Sequence, residues 1–249
     1  MSQLHRSKRL GLLLPSSNTT QEPEFRFALP PSISLHCARL TLTSINADAT
    51  KRIVEELEGE SRKLADADVG VILLAATAPT SRNGMGYDRE LQQRIRTASE
   101  RPATTASTAM LEAFSLLGIE RVALAAPWPE AVNNTVAAFM QANGVAVVNQ
   151  LAMGIERNID VGLLPSQTAY DLGCRVDCAD AQAIFLACGN WLTMDQIDRL
   201  EQALGKPVLS TNQVSLWAAL KVLGWKEPIG GYGQLLQRHL AEENRYEHS

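Results

Sequence analysis

Short runs of apolar residues alternate with longer stretches of helical spacing along the whole chain. The apolar runs predict strands at residues 10–14, 69–75, 102–105, 121–126, 183–187 and 207–210. Helical spacing predicts helices at residues 53–67, 90–99, 107–117 and 213–224, with a further helical pattern from Met194. The run at 69–75 is apolar throughout, which is typical of a strand buried on both faces of a parallel sheet. This alternation predicts the α/β fold class.

The same order of elements occurs twice. The strands that end at Pro15 and Pro127 are 112 residues apart, and so are Ala76 and Cys188, which each follow an apolar strand. The strand and helix that begin at residue 102 recur 105 residues later, at residue 207. Three matched pairs in one order predict a tandem duplication. We expect halves at residues 1–117 and 118–225, with residues 226–249 packing back on the first half.

Composition and charge narrow the classes of partner. The 249 residues are 45% hydrophobic and 20% charged, with a net charge of −4, which is ordinary for a globular domain. A weakly acidic chain lacks the excess of positive charge that binds nucleic acid or an anionic membrane. No apolar run reaches the roughly 18 residues of a membrane span, and the N-terminal apolar stretch is too short for a signal peptide. We therefore expect a cytoplasmic protein with neither nucleic-acid nor membrane partners.

Cys188 is the strongest candidate for chemistry. It ends an apolar strand and precedes Gly189, Asn190 and a helical pattern. Free backbone N–H groups and a helix dipole at such a turn stabilise a thiolate or a bound carboxylate, and Gly189 allows close approach to the backbone. A small buried apolar cysteine is an equally good interpretation of this position alone.

Other polar turns add candidates that are weak one by one. Residues 15–20 (PSSNTT) offer hydroxyl and amide donors, and Thr19 with Glu22 fits a capping box. Neither a P-loop nor a Gly-x-Gly-x-x-Gly turn after a strand occurs, so no nucleotide cofactor is indicated. Cys174 and Cys178 are four residues apart, but no other cysteine or histidine is placed in the sequence to complete a zinc site with them.

Together these segments resemble the aspartate/glutamate racemase superfamily, in the branch that holds arylmalonate decarboxylase and maleate cis-trans isomerase. The resemblance covers residues 10–236 and rests on residues 11–20, 84–90, 102–109, 121–127, 184–193 and 231–235. It implies two similar flavodoxin-like parallel-sheet domains related by a pseudo-twofold duplication, with the active site between them. It also implies a cofactor-free enzyme for small mono- or dicarboxylates, and homo-oligomers are the common default for such enzymes.

The residue at position 76 bears on which branch of that superfamily the chain resembles more. Racemases and isomerases of the superfamily usually carry two cysteines, one from each half, but here the first position holds Ala76 and only the second holds Cys188. Arylmalonate decarboxylase works with the second cysteine alone. Carried over, one carboxylate leaves as carbon dioxide, and Thr77 with the backbone of Ala78 and Gly189 holds the enediolate. Cys188 then protonates the carbon.

Other residues resemble the isomerase. Asn18 and Asn158 match asparagines that bind substrate there. Trp128 replaces a tyrosine that binds substrate in both branches; it keeps an N–H donor but is larger and cannot accept, so we expect a substrate pocket that differs from both. The predicted substrate-binding residues are therefore Ser16, Asn18, Thr77, Ala78, Trp128, Asn158, Gly189 and Asn190.

Three functions follow from these features. The first is an arylmalonate-decarboxylase-like lyase in which Cys188 donates the proton. The second is a maleate isomerase or racemase in which Ala76 replaces the first cysteine. The third is a binding protein for small acids that has lost catalysis, because loss of one of the two cysteines is what we expect in such a protein.

Overall fold

Two four-stranded parallel sheets form the frame of the protein in a computed structural model that describes residues 8–241. The strands of the first sheet are β1 (Lys8–Pro15), β2 (Ile33–Leu40), β3 (Val71–Leu74) and β4 (Ala103–Thr105). Those of the second are β5 (Arg121–Ala126), β6 (Ala146–Ala152), β7 (Ala183–Leu186) and β8 (Val208–Ser210). Their spatial orders are 2-1-3-4 and 6-5-7-8, and every pairing is parallel. The predicted fold of two similar parallel-sheet units is confirmed.

Helices connect the strands in both units. The first unit contains α1 (Gln21–Ala28), α2 (Ala47–Glu55), α3 (Leu57–Asp66), α4 (Thr77–Ser81), α5 (Tyr87–Ser99) and α6 (Ala106–Leu116). The second contains α7 (Glu130–Ala142), α8 (Asn158–Val161), α9 (Gln167–Val176), a 3₁₀ turn (Met194–Gln196), α10 (Ile197–Leu204) and α11 (Thr211–Val222), and α12 (Gln234–Arg238) follows. The single helix predicted at 53–67 is instead split at Glu56, where the carboxylate accepts the N–H of Thr41.

The strands that the sequence pattern missed are the edge strands β2 and β6. Central strands such as β3 and β7 are buried at every residue, which produces the continuous apolar runs. Along β6 no residue is fully buried, and polar residues such as Asn149 and Gln150 interrupt the apolar ones. The other two edge strands, β4 and β8, are buried at every residue and were predicted, so the partial exposure of β2 and β6 is what leaves no continuous apolar run to detect.

The two units share one interface. Helix α11 of the second unit packs against α6 and β3 of the first. The rings of Phe114 on α6 and Phe185 on β7 meet edge to face, with centroids 5.5 Å apart. Both rings are fully buried, so this contact joins the cores of the two sheets.

The segment after α11 hydrogen-bonds to helices of the second unit. The carbonyl of Tyr232 accepts from Gln213 Nε2 at 2.7 Å, and that of His239 accepts from Trp217 Nε1 at 3.0 Å. The N–H of Gly233 donates to Asp198 on α10 at 2.6 Å. The boundaries at residues 117 and 225, and the packing of residues 226–249 on the first half, stay predictions. Among the described helices, none is long and apolar enough to cross a membrane.

Candidate active site

The carboxyl ends of β1, β3, β5 and β7 meet at one small pocket between the two sheets, as expected for ligand sites of parallel sheets. Pro15, Ala76, Trp128 and Cys188 lie at the ends of these strands or two residues beyond them. The pocket is lined by Pro15, Asn18, Leu42, Ile45, Ala75, Ala76, Thr77, Ala78, Pro79, Trp128, Asn158, Cys188, Gly189 and Asn190. The duplication therefore brings Ala76 and Cys188, its predicted twin, to the same cavity.

Ser16 differs from the other predicted site residues, because it does not line the pocket. Its side chain is exposed, and its hydroxyl donates to the carbonyl of Leu42 at 3.3 Å. The N–H of Leu42 donates back to Ser16 Oγ at 3.1 Å. These bonds join the hydroxyl to the segment after β2, so Ser16 holds the loop in place, and its contact with substrate stays a prediction.

Cys188 occupies a strained position at the end of its strand. Its φ of 145° lies in the region that favours glycine, and such strain persists only where the surroundings fix the backbone. Only 5% of the residue is exposed, and burial raises the pKa of the thiol to about 12. Hydrogen bonds from the backbone N–H groups of Asn190 and Trp191 act in the opposite direction but do not outweigh burial. Burial therefore outweighs the donors at the turn that would stabilise a thiolate, and a group with this pKa is a thiol at neutral pH, which can donate a proton.

Thr211 links Cys188 to the opposite half of the molecule. The N–H of Cys188 donates to Thr211 Oγ1 at 3.1 Å, and Thr211 Oγ1 lies 2.8 Å from Thr77 Oγ1. Both threonines are buried. Sequence reasoning missed Thr211, although it follows β8 directly and so lies at the strand end where the other candidates were sought.

Asn190 ties the cysteine turn to two neighbouring loops. Its Oδ1 accepts the N–H of Thr19 at 2.8 Å, and its Nδ2 donates to the carbonyl of Asn158 at 2.6 Å. The hydroxyl of Thr20 donates to the Asn190 carbonyl at 2.9 Å. Asn190 lies in the pocket wall, but in this structure its amide is occupied by these structural bonds.

Asn18 caps helix α1 rather than leaving its amide free. Its Oδ1 accepts the N–H groups of Thr20 and Gln21 at 2.9 and 3.0 Å. The capping box predicted from Thr19 and Glu22 is therefore wrong: α1 begins at Gln21 without a side-chain bond from its N-cap residue, Thr20. Glu22 pairs with Arg39 instead, because that arginine also binds the carbonyls of the loop.

Trp128 presents its ring to the pocket while its polar atom points elsewhere. The indole Nε1 donates to Asn133 Oδ1 at 3.1 Å, and both residues are buried. The N–H that the sequence offered as a replacement for a tyrosine donor is therefore already used. Together with Leu42, Ile45, Ala78 and Pro79, Trp128 contributes the apolar part of the pocket lining.

A larger cleft of about 520 Å³ adjoins the pocket, and Ile45 and Ala78 line both. Arg82, at the end of α4, and Arg157, before α8, line this cleft from opposite units. Arg157 lies 3.6 Å from Asp160 and is 73% exposed. Within residues 8–241, no group of three or more His, Cys, Asp or Glu side chains is arranged to hold a metal ion.

Comparison with known proteins identifies the family. Residues 10–236 match the family described as arylmalonate decarboxylase. The chain belongs to the arylmalonate decarboxylase family. It is 30% identical over 229 residues to the arylmalonate decarboxylase of Bordetella bronchiseptica, covering 91% of this chain and 95% of that protein. This membership confirms the resemblance found in the sequence.

Maleate isomerases are similar to this member of the family over a comparable length. The maleate isomerase of Geobacillus stearothermophilus is 26% identical over 242 residues, covering 92% of this chain and 96% of that protein. The solved structure of the maleate isomerase Iso from Pseudomonas putida S16 superposes with a TM-score of 0.89 at 25% identity, covering 93% and 98% of the two chains. The predicted class of enzyme, a decarboxylase or an isomerase, is confirmed at this level.

Proposed function

We propose that this protein is a cofactor-independent decarboxylase for substituted malonates, in which Cys188 donates the proton. One observation carries the proposal: among the residues that line the pocket, Cys188 is the only one with a titratable side chain. Its twin position holds the methyl group of Ala76. A single acid in the pocket supports delivery of a proton to one face of a carbanion, whereas a two-cysteine reaction needs a second acid or base on the opposite face.

The reaction breaks one carbon–carbon bond and forms one carbon–hydrogen bond. One carboxylate leaves as carbon dioxide, and the electron pair of the broken bond passes into the remaining carboxylate to form an enediolate. The thiol of Cys188 gives its proton to the α-carbon, and water later returns a proton to the thiolate. A group with a pKa near 12 is almost wholly protonated at pH 7, with roughly one part in 10⁵ ionised, so the proton is available.

Donors for the enediolate come from both units. The hydroxyl of Thr77 and the backbone N–H of Ala78 lie at the start of α4, where N–H groups have no partner inside the helix. The N–H of Gly189 completes the proposed cradle. A preorganised donor of this kind lowers the barrier by roughly 3 kcal/mol. After proton transfer, the N–H groups of Asn190 and Trp191 stabilise the thiolate.

The apolar residues of the pocket lining suit the departing carboxylate. Trp128, Leu42 and Ile45 cannot solvate a charge there, because the indole N–H is bonded to Asn133. A carboxylate in such surroundings is destabilised relative to neutral carbon dioxide. The adjoining cleft, with Arg82 and Arg157 at its walls, is where the substituent of the malonate extends.

Carbon dioxide release tests the proposal directly. Aryl- and alkylmalonates are incubated with the enzyme, and we expect release that Cys188→Ser abolishes. Cys174→Ser is the matched control, because Cys174 is a half-buried cysteine on α9 that does not line the pocket. If no malonate tested releases carbon dioxide and the enzyme converts maleate to fumarate, the proposal is contradicted.

A maleate-type isomerase is the second candidate, and Asn18 and Asn158 favour it because both line the pocket. Against it, the Asn18 amide caps α1 and Asn158 Nδ2 donates to Ser17 Oγ at 2.8 Å. Ala76→Cys tests this candidate, since gain of isomerase or racemase activity would reveal an otherwise intact two-cysteine site. Tight dicarboxylate binding without turnover, insensitive to Cys188→Ser, would indicate a binding protein.

A further inference from the structure

A chain of buried side-chain amides runs from the start of α1 to the cysteine turn, and its direction is fixed at one end. Asn18 Oδ1 accepts two backbone N–H groups, so Asn18 Nδ2 must be the donor to Gln21 Oε1, at 2.9 Å. Gln21 Nε2 then donates to Asn212 Oδ1 at 3.0 Å. Because each amide has one donor end and one acceptor end, none can be reversed without reversing its neighbour.

The chain ends on Glu24 and on the carbonyl of Gly189. Asn212 Nδ2 donates to Glu24 Oε2 at 2.6 Å and to the Gly189 carbonyl at 3.1 Å. The other carboxylate oxygen, Glu24 Oε1, accepts the N–H groups of Thr193 and Met194 at 2.8 and 2.9 Å. Three donors therefore point at one carboxyl group and favour its ionised form, whereas burial acts in the opposite direction and raises its pKa to about 7.

Glu24 therefore holds the segment from Gly189 to Met194 at both ends. It reaches Gly189 through Asn212, and it contacts Thr193 and Met194 directly. Glu24 belongs to α1 of the first unit, whereas this segment and Asn212 belong to the second. The side chain is only 8% exposed. A buried charge is costly unless its partners satisfy it, so this arrangement is specific and not a chance surface contact.

The Gly189–Asn190 peptide transmits this constraint to the sulfur atom. Its carbonyl accepts from Asn212 at 3.1 Å, and its N–H, which belongs to Asn190, lies on the opposite edge of the same rigid plane. This N–H is one of the two backbone groups that lower the pKa of the Cys188 thiol against the effect of burial. A hydrogen bond at the carbonyl both orients the plane and polarises the N–H toward the sulfur. It also helps to fix a backbone in which Cys188 has a φ of 145°.

We propose that Glu24 is a positioning residue that acts through Asn212 to aim the Asn190 N–H at Cys188 and to stabilise the thiolate left by proton transfer. The role deepens the proposed decarboxylase, on which it rests, by naming the group that controls its proton donor. Glu24 itself does not line the pocket and so does not touch the substrate. The titratable groups that face Glu24 are Asp195, beside the 3₁₀ turn, and Tyr232, before α12.

Titration of the Cys188 thiol tests the proposal without any substrate. The alkylation rate of Cys188 by iodoacetamide is followed against pH, with peptide mapping to separate it from the other cysteines. In Glu24→Gln the single amide oxygen cannot accept both from Asn212 Nδ2 and from the N–H groups of Thr193 and Met194. Whichever way the new amide turns, its NH₂ group meets another donor, and the fixed direction of the chain prevents Asn212 from turning to relieve the conflict. At each pH below the Cys188 pKa we expect slower alkylation of Cys188 in this variant, because a smaller fraction of it is thiolate. We also expect kcat for the malonate to fall by about a hundredfold with KM little changed, since small displacements of reacting groups have such effects.

Glu201→Gln is the matched control. Glu201 also accepts backbone N–H groups, those of Val208 and Gln234, but it contacts neither the cysteine turn nor Asn212. We expect this variant to leave the Cys188 titration unchanged. If Glu24→Gln does not fold, Asn212→Ala serves instead, because it cuts the link to Gly189 and leaves the bonds of Glu24 to Thr193 and Met194.

Two outcomes overturn the proposal. One is an unchanged Cys188 titration in the folded Glu24→Gln or Asn212→Ala variant. The other is an equal shift in Glu201→Gln, which would indicate a general loss of stability. Absence of malonate decarboxylation in the wild type would contradict the proposed function alone, since the thiol titration does not depend on it.

Discussion

Replacing Glu24 by Gln should change how the free energy of unfolding depends on pH. Burial is the largest influence on this carboxyl group and raises its pKa from 4.5 to about 7, against the hydrogen bonds from Met194, Asn212 and Thr193. The folded protein thus keeps this proton to a higher pH than the unfolded chain. The resulting stability is fully present below pH 4.5 and is lost as the pH rises through 7.

The magnitude follows from the size of that shift. A pKa raised from 4.5 to about 7 corresponds to about 3.4 kcal/mol at 1.36 kcal/mol per unit, of which about 2.5 kcal/mol is lost between pH 5 and pH 8. Gln carries no titrating proton, so Glu24→Gln lacks this dependence. The stability of the wild type minus that of the variant should therefore fall by about 2.5 kcal/mol between the two pH values.

Urea unfolding at pH 5 and pH 8 measures this difference, and the comparison with the variant cancels the titration of all other groups. Glu56→Gln is the control. The hydrogen bond from Thr41 lowers the pKa of Glu56 from 4.5, so its contribution is lost only below about pH 4.5, and the difference between wild type and this variant should be nearly the same at pH 5 and pH 8. An unchanged difference between wild type and Glu24→Gln at the two pH values would refute the reasoning.

Further predictions concern the cysteine turn and its neighbours. A methyl group on Gly189 would lie 2.4 Å from Gln21 Nε2, so Gly189→Ala should destabilise the fold by about 1–3 kcal/mol. Gly59→Ala is the control, because a methyl group there has nothing within 4 Å, and equal unfolding midpoints for the two variants would contradict the prediction. Trp128→Phe should cost about 1–3 kcal/mol in a urea titration, because it leaves the buried Asn133 Oδ1 without its donor. In D₂O, mass and chiral analysis should find one deuterium and one enantiomer of the product, since one acid lines the pocket; a racemic product would argue against Cys188 as sole donor.

The positions of the central strands could be predicted because burial on both faces of a parallel sheet requires uninterrupted apolar residues. The repeat of 112 residues paired Ala76 with Cys188, and the rule that strand ends form ligand sites placed both at one pocket. Strands β2 and β6 were not predicted, since their partial exposure allows polar residues among the apolar ones.

Which polar group bonds to which was decided by the tertiary structure alone. Asn18 looked like a free substrate ligand, yet it caps α1; Trp128 looked like a donor, yet Asn133 already receives its N–H. Glu24 and Asn212 are 188 residues apart and meet only because α1 and the start of α11 converge on the cysteine turn. The sequence by itself determined that Cys188 ends a buried strand opposite an alanine. The fold decided that the cysteine is a buried thiol with a high pKa, because burial depends on what distant segments place around it.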